Sequence, residues 1–94
     1  AIQVPIQVME RSVEAMSVIK AMADIGQETS ASDAGVAALC ARGAVRGAFL
    51  NVRINAKDLS DDVAAKDFLS RGENLVAQAD DLETEILELV DRNL

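Results

Sequence analysis

The stretch SASDAGVAALCARGAVRGAFLNVRIN, residues 30–55, decides the fold. Ser30 followed three residues later by Asp33 is similar to a capping box, so this pair predicts the start of a helix. No charged residue occurs between Ala34 and Ala41, and small residues recur at helical spacing on more than one side. The pattern therefore predicts a central helix that neighbouring helices approach closely.

Small residues form two rows on this predicted helix. One row contains four alanines and the other contains two glycines: Ala37, Ala41, Ala44 and Ala48, then Gly43 and Gly47. Each glycine costs about 1 kcal/mol against alanine in a helix interior, and close helix–helix contact is the expected compensation. Arg42, Arg46 and Arg53 interrupt the apolar run, so the helix is too polar to span a membrane.

Composition limits the possible functions of the chain. Its 94 residues fit one domain, residues 1–94, and two aromatic residues imply a core of aliphatic side chains. The net charge of −7 argues against a nucleic-acid partner, because no basic surplus is available to release counterions. One cysteine and no histidine exclude a disulfide framework and the usual zinc sites, and we expect no metal. Without a signal peptide or spanning segment, the cytoplasm is the expected location and no membrane partner is expected.

The periodicity predicts an all-α fold of three long helices, near residues 5–25, 31–56 and 61–92. Pro5 fits the first position of the first helix, and Gly26 fits the position that ends it. Ser60 is predicted to cap the third helix. Apolar residues spaced by three and four line one side of the first helix: Met9, Val13, Met16, Ile19 and Ala23.

The third helix carries an apolar seam that alternates steps of four and three. Its members are Phe68, Gly72, Leu75, Ala79, Leu82, Ile86 and Leu89. Helices of about 20, 25 and 33 residues would differ in length by up to about 20 Å, leaving apolar surface uncovered in a monomer. We therefore expect an oligomeric bundle, a homodimer or homotetramer, joined through this seam or through the small-residue faces of the middle helix.

Several side chains of the middle helix could carry chemistry. Asp33 is either a capping carboxylate or an acid or base beside a cleft that could also hold a ligand amine. Arg42, Arg46 and Arg53 share one face and either pair with acidic helices or bind a carboxylated ligand.

The remaining polar candidates are two amides and a thiol. Asn51 and Asn55 lie four residues apart and could bridge helices or fix a polar ligand. Cys40 has no histidine neighbour and sits in an apolar run, so we interpret it as an inert core thiol.

Two motifs resemble a known family. They are Ser32-Asp33-Ala34-Gly35-Val36-Ala37-Ala38-Leu39 and the stretch from Arg46 to Leu59, which contains Asn51-Val52-Arg53-Ile54-Asn55. The opening Val4-Pro5-Ile6 also fits. The sequence is similar to the cyclodeaminase domain of formiminotransferase-cyclodeaminase and its stand-alone bacterial relatives, the methenyltetrahydrofolate cyclohydrolase-like proteins. The resemblance covers nearly the whole chain but only about the C-terminal half of the family domain.

The resemblance implies an all-helical protein of one-carbon metabolism that forms dimers or larger assemblies and takes a tetrahydrofolate derivative as substrate or ligand. In the implied reaction, N10 attacks the formimidoyl carbon, 5,10-methenyltetrahydrofolate forms, and the departing nitrogen gains a proton and leaves as ammonia; the related hydrolysis is the alternative. Asp33 matches the family's Ser-Asp motif and would transfer a proton or orient the pterin. Arg42 or Arg46 would suit the glutamate tail of folate.

The chain also departs from the family pattern. Family members carry a glycine-rich Pro-x-Pro-Gly-Gly-Gly-Ser segment at the cleft, and this sequence contains none. Either another chain supplies that half, or the protein has kept the helical assembly without the chemistry. Two hypotheses follow: a folate-binding, cyclodeaminase-like protein without complete catalytic machinery of its own, and a non-catalytic helical oligomerisation or interaction module.

Overall fold

A computed structural model describes residues 2–25 and 28–94 of the chain. Three helices make up the fold: α1 (Gln3–Asp24), α2 (Glu28–Lys57) and α3 (Asp62–Arg92). No strand occurs in these two ranges. The prediction of an all-α fold with three long helices is confirmed.

The helices run up, down and up along one long axis. Lys20 Nζ lies 2.7 Å from Glu85 Oε2, and the Glu10 carboxylate lies near Arg71, so residue numbers rise in the same direction along α1 and α3. Between α2 and α3 the order is reversed, since Arg42 meets Asp80 while an added Cβ at Gly35 would meet the Val90 side chain. The Cα atoms span 50 × 16 × 15 Å, as expected for three helices packed side by side.

Two helix starts differ slightly from the prediction. Helix α1 begins at Gln3, so Pro5 is its third residue and not its first. The first turn has no intrahelical partners for its N–H groups, so proline costs no hydrogen bond there. Helix α3 is capped by Asp61 and not by Ser60: the Asp61 carboxylate accepts hydrogen bonds from the backbone N–H groups of Val63 and Ala64, at 3.0 and 3.2 Å. A carboxylate also interacts favourably with the positive end of the helix dipole, which a hydroxyl does less well.

Helix α2 begins at Glu28, three residues earlier than predicted. Ser30 therefore lies inside the helix, and the predicted capping box of Ser30 and Asp33 is wrong. Gly26, predicted to end α1, falls outside the described residues. With 30 residues, α2 nearly equals the 31 residues of α3. The large mismatch expected between these two helices is absent, and only α1, with 22 residues, is markedly shorter.

The core forms where bulky side chains of α1 and α3 meet small ones of α2. Met9 and Met16 are fully buried, as predicted. The other large side chains at full burial are Ile6, Val45, Val52 and Ile86. On α2 the deepest positions are mostly alanines: Ala31, Ala34, Ala38, Ala48 and Ala56. This row only partly overlaps the predicted alanine row, whose member Ala44 is exposed at the edge that faces α1.

The α3 seam faces inward and belongs to this core. Gly72, Ala79 and Ile86 are buried, and Phe68, Leu75, Leu82 and Leu89 pack around the buried residues. The seam is therefore not free to join two copies of the chain, so that proposed interface is wrong. The second suggestion, the small-residue face of α2, stays a prediction: a Cβ added at Gly43 or Gly47 would meet nothing within 4 Å.

Gly72 permits the closest approach of α2 and α3. A Cβ at Gly72 would lie 2.5 Å from Cε1 and 2.6 Å from Cδ1 of the Phe49 ring, whereas a Cβ at Gly35 would lie at an ordinary 3.6 Å from Val90. We expect Gly72→Ala to destabilise the protein by about 1–3 kcal/mol, because the ring must move out of its packing. Gly35→Ala should stabilise it by up to about 1 kcal/mol through helix propensity.

Urea unfolding followed by circular dichroism measures both glycine variants under identical conditions. Comparison of Gly72→Ala with Gly35→Ala separates the effect of close packing from that of helix propensity. Helix propensity favours alanine at both sites, whereas only the Cβ at position 72 would overlap a neighbouring side chain. Equal stabilisation by the two substitutions would contradict the assigned contact.

Candidate functional site

All five candidate site residues lie on α2, but the helix distributes them over separate places. Asn51 and Asn55 line a groove near the N-terminus of α1, and Asp33 lines another groove towards its C-terminus. Arg42 and Arg46 point towards α3. At 1.5 Å per residue, Asp33 lies about 27 Å from Asn51 along the helix axis. Asp33, the candidate for proton transfer, and the candidate ligand-binding amides of Asn51 and Asn55 therefore do not share one site within a single chain.

The groove of Asn51 and Asn55 has a volume of about 550 Å³, within the usual range of about 300–1,000 Å³ for small-molecule pockets. Its remaining lining is aliphatic: Val4, Pro5, Val8, Ala44 and Ala48. In the described part of the chain, no hydrogen bond joins either amide to another helix, so the bridging role is not observed. Each amide can offer both donors and an acceptor to a molecule in the groove. The groove's lining contains no ionisable side chain.

Asp33 lies in a smaller groove of about 210 Å³ between α1 and α2. Its neighbours there are Ile19, Met22, Ser30, Ala34 and Ala37. As the sixth residue of α2, Asp33 is beyond the first turn and is exposed to solvent. The carboxylate is therefore available to an incoming group, but its groove falls below the usual volume for a ligand of drug size.

Arg42 and Arg46 both bind Asp80 of α3. Arg42 Nε donates to Asp80 Oδ1 at 2.8 Å, and Arg46 Nη2 donates to Asp80 Oδ2 at 2.7 Å. The hydrogen bond from Arg42, reinforced by Arg46, lowers the pKa of the Asp80 carboxyl below its ordinary value, against a smaller opposing effect of burial. The same hydrogen bond raises the pKa of Arg42. The ion-pairing interpretation is thus confirmed for these two arginines.

Glu83 completes this charged cluster. Its Oε2 lies 3.5 Å from Arg42 Nε, which is an ion pair, although the oxygen is buried without a hydrogen-bond partner among the described residues. Because Asp80 already takes the Arg42 Nε–H, a ligand carboxylate would have to share or displace these contacts.

Arg53 differs from the other two arginines. No carboxylate of the described residues lies within 4 Å of it, and it lines a groove of about 370 Å³ between α2 and α3. Its neighbours there are Arg46, Gly47, Phe49, Leu50 and Val76. Ion pairing of Arg53 with an acidic helix is therefore not observed.

Sequence reasoning missed two features of these surfaces. Val4 and Val8 form the aliphatic wall of the Asn51–Asn55 groove; their spacing of four, off the core side of α1, was the available signal. Cys40 was predicted to lie in the core but is exposed, because an apolar neighbourhood in sequence does not reveal which side of α2 faces inward.

A further groove of about 510 Å³ lies between α1 and α3 and carries both signs of charge. It includes the pair of Lys20 and Glu85 together with Asp24, Glu88 and Arg92. Sequence reasoning assigned no role to these residues.

In residues 2–25 and 28–94, no group of three or more Cys, Asp or Glu side chains is arranged to hold a metal ion. None of the three helices combines the length and the apolar character that crossing a bilayer requires.

Comparison with known proteins identifies the family. The family model described as formiminotransferase-cyclodeaminase matches residues 1–74. The chain belongs to this family. The match covers α1, α2 and the first part of α3, and so includes all five candidate residues. Asp80 and Glu83, the acidic partners of Arg42, lie beyond it.

A curated relative agrees with this assignment. The chain is 38% identical over 90 residues to the methenyltetrahydrofolate cyclohydrolase of Methylorubrum extorquens, an alignment that covers 96% of this chain and 43% of that protein. The family member described here thus spans less than half the length of this relative. No solved structure gives a significant match. The resemblance inferred from the Ser-Asp-Ala-Gly and Asn-Val-Arg-Ile-Asn motifs is confirmed, and the protein is related to folate cyclodeaminases and cyclohydrolases.

The Asp80 cluster predicts how stability depends on pH. Folding lowers the Asp80 pKa, so the ionised carboxylate contributes to the free energy of unfolding. This contribution is fully present above the unfolded-state pKa of about 3.9. It is lost as the pH falls through the lower pKa of the folded state. The side chain is 37% exposed, so solvent screening limits the contribution. We expect Asp80→Asn to cost roughly 1 kcal/mol or less at pH 7.

Urea unfolding at pH 7 and at about pH 2.5, below the ordinary carboxyl range, measures the Asp80 effect. Asp81→Asn is the matched control, because Asp81 is exposed and has no ion pair with a described residue. A loss that persists undiminished at the low pH would show that Asp80 stabilises the protein by means other than its charge.

Proposed function

We propose that this chain is a folate-binding helical protein of the cyclodeaminase and cyclohydrolase type, whose ligand enters the groove lined by Asn51 and Asn55. The observation that carries the proposal is the groove itself, which lies inside the region matched by the family model. Its two amides have no hydrogen bond to another helix among the described residues, and they lie beside an aliphatic wall. A pterin ring offers a flat face and an edge of alternating donors and acceptors. Aliphatic side chains suit the face, and amide groups suit the edge.

The alternative position for the reacting part of the ligand is the separate groove that contains Asp33. The proposed role of Asp33 there is proton transfer or orientation of the pterin. In the cyclodeamination, N10 of the substrate attacks the formimidoyl carbon, the bond from that carbon to the departing nitrogen breaks, and the nitrogen leaves as ammonia after gaining a proton. An exposed carboxylate beside an open groove can accept or return that proton. For the related hydrolysis, the same group would orient or deprotonate the attacking water.

The proposed roles of Arg42 and Arg46 concern the two carboxylates of the glutamate tail of folate. Both guanidinium groups already bind Asp80, so a tail that reaches them would share an existing charge-assisted network. Arg46 is the more accessible of the two, with about half of its side chain exposed.

Calorimetric titration with 5-formyltetrahydrofolate tests folate binding. We expect binding by the native chain and a roughly tenfold weaker affinity for Asn55→Ala, because one net hydrogen bond contributes about 1 kcal/mol and an abandoned partner costs more. Asn74→Ala is the matched control, since Asn74 is an exposed amide of α3 outside the groove. Weaker binding by Arg42→Ala or Arg46→Ala would support their assigned role.

An absence of heat at high ligand concentration would contradict folate binding. It would favour the second candidate function, a non-catalytic helical interaction module. The observation behind that alternative is the set of large apolar side chains that α2 exposes: Val36, Leu39, Leu50 and Ile54.

We expect residues 1–94 by themselves to be inactive as a cyclodeaminase, because these residues contain no match to the glycine-rich segment that the resemblance places at the family's cleft. The reaction needs N10, the formimidoyl carbon and a proton donor at defined relative positions. A misplacement of one ångström lowers the rate of such a reaction on the order of 100-fold. The absorbance of methenyltetrahydrofolate measures turnover directly. Turnover that Asp33→Asn abolishes would overturn this expectation and show that the chain assembles a complete site.

A further inference from the structure

The groove between α2 and α3 combines positive charge with apolar side chains. Arg46 and Arg53 are its two charged residues, and its volume is about 370 Å³. This volume lies within the usual range of about 300–1,000 Å³ for small-molecule pockets. The apolar lining consists of Gly47, Phe49, Leu50 and Val76. We call this site the Arg46–Arg53 groove.

The two guanidinium groups belong to opposite ends of the groove. Arg46 and Arg53 are seven residues apart, which is nearly two full helical turns, so they lie on the same side of α2 and about 10 Å apart along its axis. Leu50 lies between them on the same helix, and Val76 borders the groove from α3. The site is therefore an apolar strip with one cation towards each end.

Both arginines keep hydrogen-bond donors for a ligand. Arg53 is exposed, and no carboxylate of the described residues forms an ion pair with it. Its guanidinium therefore offers all five N–H donors. Arg46 uses Nη2 to bind Asp80 Oδ2 at 2.7 Å, and its remaining N–H groups have no partner among the described residues.

The surrounding sequence makes this groove a positive region of an acidic protein. The chain carries a net charge of −7, yet no Asp or Glu occurs between Ala34 and Lys57. The basic residues in that stretch are Arg42, Arg46, Arg53 and Lys57. An anion is repelled by the molecule as a whole but attracted here, because screening by salt limits each charge to a range of about 10 Å.

We propose that the Arg46–Arg53 groove binds an elongated apolar dicarboxylate, a hydrocarbon chain with a carboxylate at each end. One carboxylate pairs with Arg53 in the two-bond geometry that guanidinium groups favour, and the other pairs with the free donors of Arg46. The chain between them lies on Leu50 and Val76. This ligand site goes beyond the folate proposal, which uses neither Arg53 nor the apolar part of the groove.

The apolar lining favours such a ligand over a compact inorganic anion. The Leu50 side chain is 57% exposed, so a hydrocarbon chain that covers it removes apolar surface from water. The Phe49 ring is held in place by Gly72, since a Cβ there would lie 2.5 Å from the ring. A wall that is fixed before binding loses little entropy when a ligand covers it. A phosphate ion would neither cover these side chains nor reach both arginines.

This groove and the Asn51–Asn55 groove lie on nearly opposite sides of α2. Arg53 is two residues from each asparagine, and at 3.6 residues per turn that spacing rotates a side chain by about 200° around the helix axis. The asparagines line the groove beside α1, whereas Arg53 lines the groove beside α3. A dicarboxylate held against Val76 therefore contacts neither amide.

Nuclear magnetic resonance titration of the ¹⁵N-labelled chain with nonanedioate tests the proposal. We expect saturable shifts of backbone amide signals between Arg46 and Arg53 and at Val76. Nonanoate, which has one carboxylate, should bind at least about tenfold more weakly, and the diamine of the same chain length should not bind. Equal affinity for the two acids, or no shifts at millimolar nonanedioate, overturns the proposal.

Matched variants separate a built site from general attraction of anions. Arg53→Gln should weaken nonanedioate binding at least about tenfold, because one charge-assisted pair is lost. Lys57→Gln is the control, since it removes one positive charge from the last turn of α2 but lies outside the groove. Leu50→Ser should also weaken binding, and circular dichroism should show all variants equally helical. Equal losses for Arg53→Gln and Lys57→Gln would contradict the site.

Titration with 5-formyltetrahydrofolate distinguishes this site from the folate site. Arg53→Gln should leave folate affinity unchanged, because only Arg46 is common to the two proposals. Equal weakening of both ligands by Arg53→Gln would assign Arg53 to the folate site and overturn the separate one. Binding of nonanedioate without binding of 5-formyltetrahydrofolate would contradict the folate proposal alone, and the reverse result would contradict this inference alone.

Discussion

The structure depends on contact between bulky side chains of α1 and α3 and a row of alanines on α2. Met9 and Met16 are fully buried, and most of the buried positions on α2 are alanines. The small alanine side chains leave room for the long methionine side chains in the core. At Gly72 the approach is closer still, since the Phe49 ring occupies the space of a side chain. With only two aromatic residues, the chain builds its core from close helix approach and not from large aromatic groups.

Two alanines of this row, Ala34 and Ala48, also line the grooves of the candidate site. Ala44 and Ala48 leave the groove beside Asn51 and Asn55 open, and Ala34 and Ala37 leave the groove beside Asp33 open. Grooves on both halves of α2 are thus bordered in part by alanines that also belong to the core. A leucine at any of these positions would fill the adjoining groove, so the packing and the binding surface cannot be varied independently.

Much of the fold could be predicted from the sequence, because helical periodicity reports directly on burial in α1 and α3. In α2 the periodicity does not show which side faces inward, because alanine occurs in cores, in grooves and at the surface. For this reason Cys40 was wrongly predicted to lie in the core. The partner of Arg42 and Arg46 was predictable only as an acidic helix. One carboxylate, Asp80, binds both arginines because of the register of α2 against α3. No local sequence pattern encodes that register.

The arrangement of polar residues on α2 constrains what one chain can do. A straight helix keeps Asp33 and Asn51 about 27 Å apart, and no rotation of side chains closes that distance. Within one chain, the two family motifs at the ends of α2 therefore cannot contact the same small reacting group.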